Sequence, residues 1–102
     1  MNKEIIEKAL IYYGERHQID KVIEESAELI QAISKIREYQ EVTEGDYTEG
    51  LKNSLITELA DVYITLEYIK NVYEITEEEL DKEIQFKINR LKERLENENL
   101  SK

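Results

Sequence analysis

Apolar residues along this chain recur at steps of three and four rather than two, a period that predicts helix from one end to the other. Ile5, Ile6, Ala9, Leu10 and Tyr13 share one side of a first helix, predicted over about Asn2 to Tyr13, and Gly14 is its natural stop. A second helix is predicted from Glu15 or Arg16 to Gln40, with Val22, Glu25, Leu29, Ala32 and Ile36 as its inward seam. The stretch "EVTEGDYTEG", 41–50, has two glycines and no apolar period and reads as a connecting loop. The third helix, from about Leu51 to Tyr73, has the fullest stripe: Leu55, Leu59, Val62, Leu66, Ile69 and Tyr73. "TEEE", Thr76 to Glu79, is a capping box in which the threonine hydroxyl and the glutamate carboxylate satisfy each other's backbone donors. A fourth helix therefore starts at Glu77, carries Leu80, Ile84, Ile88, Leu91 and Leu95, and ends in a polar tail, about 97–102, expected to fray.

The absence of proline, the presence of only three glycines and the abundance of Glu, Lys, Leu and Ile agree with helix throughout. The fold class expected is all-α, a four-helix bundle in a single domain spanning 1–102. A chain of 102 residues buries only about 60–70% of its unfolded surface when it folds alone. Apolar stripes on three long helices, with Ile64 and Tyr68 lying off the main stripe of the third, exceed what one small core buries. At least a homodimer is therefore expected.

Charge and residue usage narrow the chemistry. Twenty-four acidic against fourteen basic residues give a net charge of -10, which repels a nucleic-acid backbone and argues against a duplex binder. There are no cysteines and one histidine, His17, so thiolate sites and imidazole-rich zinc sites are excluded. The longest aliphatic run is three residues, Ala9 to Ile11, so no membrane span or secretory segment is expected and a cytoplasmic protein is the default.

The seam of the second helix contains a carboxylate. Glu25 and Glu28, within "EESAE", are three residues apart and point into one sector of the helix. "ELAD" repeats the arrangement on the third helix with Glu58 and Asp61. If these helices pack antiparallel, the two pairs face each other. Like charges about 4 Å apart cost on the order of 4 kcal/mol at an effective dielectric near 20, so such a cluster must protonate, disperse or hold a cation. All-oxygen donors favour Mg²⁺, with Mn²⁺ as the alternative. The plainer reading is that these are surface glutamates on Glu-rich helices, joined to Lys or Arg by i,i+4 pairs.

In this order and on these helices, "EESAE" and "ELAD" resemble the paired EExxE and ExxD motifs of MazG-like nucleoside triphosphate pyrophosphohydrolases. The resemblance covers about His17 to Arg94 and includes "HQIDKVIEESAELIQAI" and "ELADVYITLEYI". It implies a MazG-like bundle, a homodimer or homotetramer with the site near the subunit interface, and Mg²⁺ held by Glu25, Glu28, Glu58 and Asp61. Glu24 would be a further ligand, a supporting group or the base that orients water. The reaction implied is cleavage of a nucleoside triphosphate to monophosphate and pyrophosphate. Phosphoribosyl-ATP pyrophosphatase uses the same ligands and is the nearer enzymatic alternative. A non-catalytic acidic helical interaction module is the other.

Phosphate binding also needs local positive charge. "KINR" places Lys87 and Arg90 three apart on the fourth helix and resembles the KxxR found after ExxD in some MazG proteins; surface pairing with Glu83, Glu93 or Asp81 explains these cations equally well. Gln18 and His17 precede the first carboxylate pair by about two turns and are weaker substrate-binding candidates. Tyr63, Tyr68 and Tyr73 are first read as packing residues.

Overall fold

A computed structural model describes residues 2–101. Among them the chain is all-helical: α1 spans Lys3–Tyr13, α2 Glu15–Thr43, α3 Glu49–Val72 and α4 Glu77–Ser101. Among the described residues no helix is long and apolar enough to cross a membrane. Residue 102, the last of the predicted frayed tail, lies outside the described residues; helical backbone continues through Ser101.

Local chemistry accounts for the boundaries. Asn2 caps α1, its side-chain oxygen accepting from the Glu4 and Ile5 N–H groups at 3.0 and 3.3 Å. Gly14 sits at φ 93°, ψ 149°, a conformation open essentially to glycine alone, and serves as both the end of α1 and the start of α2. The connecting loop is shorter than its sequence suggests. α2 runs past Gln40 to Thr43, where the threonine hydroxyl donates to the Tyr39 carbonyl at 2.7 Å, and the left-handed stop falls on Glu44 (φ 55°) rather than on Gly45. α3 begins at Glu49, ahead of Gly50, because Thr48 caps it by accepting from the Leu51 N–H at 3.2 Å. The capping box of α4 forms: Thr76 Oγ1 accepts from the Glu79 N–H at 3.0 Å, and the Thr76 N–H donates to Glu79 Oε1 at 3.4 Å.

The short 44–48 connection folds α3 back along α2, and α1 packs across the other end of this hairpin. The enclosed core is small. Ile6 of α1 and Val22 and Ala32 of α2 are its buried apolar residues, joined by Gln18 and Thr65. Tyr63 and Tyr73 are exposed rather than packed, whereas Tyr68 is half-buried.

α4 does not close a bundle within the chain. Among the described residues, no Cα of α4 comes within 8 Å of one in α1, α2 or α3. Ile84, Phe86, Ile88, Leu91 and Leu95 are all exposed. Its direction is fixed where it leaves α3, by a Schellman stop with Glu74 in the left-handed conformation (φ 55°): the Ile75 N–H donates to the Lys70 carbonyl at 2.9 Å and the Glu74 N–H to that of Asn71 at 3.3 Å. An ion pair between Lys70 Nζ and Glu77 Oε1 at 2.7 Å bridges the same corner. The radius of gyration is 18.0 Å, against about 13 Å for a compact domain of this length.

Candidate metal centre

Between α2 and α3 runs a polar seam beside the apolar stripe read from the sequence. On α2 it consists of Gln18, Lys21, Glu25, Glu28, Ala32 and Lys35; on α3, of Leu51, Ser54, Glu58, Asp61, Thr65 and Tyr68. Both sets step by alternating three and four, the spacing of a helix face turned toward a neighbour. Because the helices are antiparallel, the carboxylate pairs meet halfway along, as their spacing predicts. One carboxylate oxygen from each of Glu25, Glu58 and Asp61 lies within 4.8 Å of the other two.

The centre is only partly compensated. Glu25 Oε2 and Glu58 Oε2 are buried and accept no hydrogen bond. Burial pushes the Glu25 carboxyl above its ordinary value of 4.5, followed by the charge and hydrogen bonding of Glu28 and the charge of Asp61; Lys21 opposes the shift. Glu58 is raised in the same way, first by burial, then by hydrogen bonding to Glu28 and the charges of Glu28 and Asp61, with Lys35 opposing. Glu28 thus stands against both glutamates although it lies outside the tightest triad. A buried oxygen without a partner costs about 1–3 kcal/mol, more when charged, so two such oxygens at one centre call for a proton or a cation.

Glu25, Glu58 and Asp61 form a triad that could hold a divalent cation. Magnesium takes oxygen ligands at about 2.0–2.1 Å, so any two of them lie at most about 4.2 Å apart, and the ligand atoms of the triad all lie within 4.8 Å of one another. Mn²⁺ makes similar demands of a carboxylate site.

The other predicted residues fall in different places. Glu24 is exposed on α2, outside the triad. Gln18 is buried and lines a 160 Å³ cavity next to Glu25 and Asp61. Its side-chain oxygen meets His17 Nδ1 at 2.8 Å, and the His17 ring stacks on Tyr13. Lys87 and Arg90 lie on the exposed length of α4: Lys87 is 3.9 Å from Glu83, and the Arg90 guanidinium sits over the Phe86 ring at 5.9 Å. Neither lines the cavities that flank the centre within the chain.

Two cations at the centre went unnoticed in the sequence, Lys21 and Lys35. Lys21 is four residues before Glu25 and pairs with it at 3.9 Å. Lys35 follows Glu28 by two turns and lines a 460 Å³ cavity bounded also by Glu28, Glu58 and the start of α3. The available signal was the same three-four spacing that picked out the glutamates, extended one step in each direction. Comparison with protein-family models, with curated proteins and with solved structures finds no match to this chain.

Proposed function

We propose that the α2/α3 seam binds Mg²⁺ and hydrolyses a nucleoside triphosphate to a monophosphate and pyrophosphate. The observation that carries the metal reading is the pair of buried, unpartnered oxygens on Glu25 and Glu58 within a triad whose ligand atoms fall inside 4.8 Å. The resemblance of "EESAE" and "ELAD" to MazG-like motifs supports the choice of reaction. Glu25, Glu28, Glu58 and Asp61 hold the ion, which when bound supplies charge neutralisation and an acidified water. The resemblance gives Glu24, exposed and outside the triad, the part of a further ligand, a supporting group or the base that orients water. Gln18 offers its amide to the substrate from the cavity on the far side of Asp61.

A second copy completes the protein. The chain exposes 8467 Å², whereas a compact monomer of 12.1 kDa exposes about 6,000 Å². The excess, about 2,400 Å² per copy, matches the area that obligate dimers cover. Association as a homodimer or homotetramer closes the MazG-like bundle over the apolar side of α4 and is the setting in which Lys87 and Arg90 approach substrate.

The test joins two measurements. Millimolar Mg²⁺ raises the melting temperature of the wild type, by the equivalent of about 2.7 kcal/mol at one hundred times Kd, and Glu58→Gln abolishes the rise. Chromatography of digested nucleoside triphosphates then shows monophosphate and pyrophosphate. A melting curve indifferent to Mg²⁺ refutes the site, and orthophosphate as first product refutes the reaction. Binding of Mg²⁺ without hydrolysis of any ribo- or deoxynucleoside triphosphate leaves the interaction-module alternative standing.

A further inference from the structure

The polar seam is asymmetric about its carboxylates. On the Gln18 side the cavity is narrow, 160 Å³, and its cation, Lys21, already lies 3.9 Å from Glu25. On the other side the cavity measures 460 Å³, and Lys35, which lines it, makes no ion pair within 4.0 Å among the described residues. Gln31 and the Ser54 hydroxyl line the same space and can donate to oxygen. Thr48, Gly50 and Leu51 place the first turn of α3, the positive end of its dipole, against it. Glu28 and Glu58 form the wall shared with the metal centre.

We propose that this cavity is the polyphosphate seat of the centre, with Lys35 holding the oxygens of the two phosphates that leave as pyrophosphate. The inference rests on the reading of the seam as a Mg²⁺ site and fixes the direction in which substrate lies along it. Lys35 follows Glu28 by seven residues, about 10.5 Å along the helix axis, and its flexible four-carbon stem can reach part of the way back. A chain of phosphates starting at the centre therefore extends toward Lys35, and the nucleoside is directed to the Gln18 end. Lys35 also explains how so acidic a protein accepts a polyanion: the ion neutralises the carboxylates, and a cation not otherwise paired meets the distal charge.

The experiment uses inorganic pyrophosphate, which carries no base or sugar. Wild type, Lys35→Ala, Lys35→Arg and, as a control at an exposed lysine paired with Glu4 on α1, Lys8→Ala are melted with Mg²⁺ alone and with Mg²⁺ plus micromolar pyrophosphate, and pyrophosphate affinity is measured by calorimetry at fixed Mg²⁺. All four show the same Mg²⁺ shift, and pyrophosphate adds a further rise in the wild type. Lys35→Ala loses that rise and binds pyrophosphate at least tenfold more weakly, Lys35→Arg restores most of it, and Lys8→Ala keeps it. Equal pyrophosphate binding by wild type and Lys35→Ala, or no binding by the wild type, overturns the seat and leaves the metal site intact. So does an equal loss in Lys8→Ala. A wild type that fails to respond to Mg²⁺ overturns the metal reading and the seat together.

Discussion

Truncating Ile84 and Leu91 together to alanine perturbs the apolar side of α4 while keeping a strong helix former at both positions. Their exposure in the single chain is 45% and 49%, so roughly half of each side chain is left for a partner to cover. Removing about three carbons from a fully covered aliphatic side chain forfeits about 2.4 kcal/mol, at about 0.8 per methylene. Half of that is about 1.2 kcal/mol per site. Two sites in each of two copies give about 5 kcal/mol, which weakens association by three to four powers of ten at about 1.4 kcal/mol per decade. Sedimentation or light scattering across a dilution series reads the change, and far-ultraviolet circular dichroism reads α4 itself, because a helix packed on nothing is marginal in water. The double variant dissociates at concentrations where the wild type stays associated, and it loses helical signal as it does so. A wild type that is monomeric at micromolar concentration with full helicity, or a variant that associates as tightly as the wild type, refutes the reasoning from exposed area.

Gly14→Ala meets no atom within 4 Å, so its effect is backbone strain alone: about 1–3 kcal/mol, less about 0.4–1 recovered from the unfolded chain, visible as a melting temperature lower by several degrees. Glu74→Gly relieves a left-handed glutamate and raises stability by about 0.5–1 kcal/mol in chemical denaturation, with unchanged stability as the contrary result. In metal-free protein the raised Glu25 and Glu58 groups bind protons more tightly folded than unfolded; the stability they contribute is present below about pH 4.5 and is lost as pH rises through their raised values. Melting curves of the wild type minus those of Glu25→Gln/Glu58→Gln show that decline across the window, the Mg²⁺ shift grows over the same range, and a flat difference contradicts the assignment.

Helix positions were legible because burial imposes a three-four period on apolar residues, and the TEEE capping box names its own hydrogen bonds. The carboxylate pairs were legible for the same geometric reason, since Glu25 interrupts an otherwise apolar seam. Lys35 was not, because a lysine at helical spacing looks like any solvated surface residue until the partner helix is placed opposite it. The stops at Glu44 and Glu74 were equally hidden: the Thr43 hydroxyl bonds at the first and a pair of backbone bonds closes the second, and glycine is merely the commonest residue to sit in such a stop. That α4 stands clear of the hairpin was also unreadable, since an amphipathic stripe shows that a helix wants a partner but not whose.

The corner at 70–79 acquires mechanical leverage from the length of the helix it launches. At 1.5 Å per residue α4 is a rod of roughly 37 Å, so a swing of about 10° at its root carries the tip about 6 Å, more than one helical turn. Where Lys87 and Arg90 come to rest is therefore governed by a few hydrogen bonds and one ion pair far back along the rod. Neutralising Lys70 or Glu77 changes no residue at the carboxylate centre, yet it removes one of the ties behind the aim of every side chain that α4 carries.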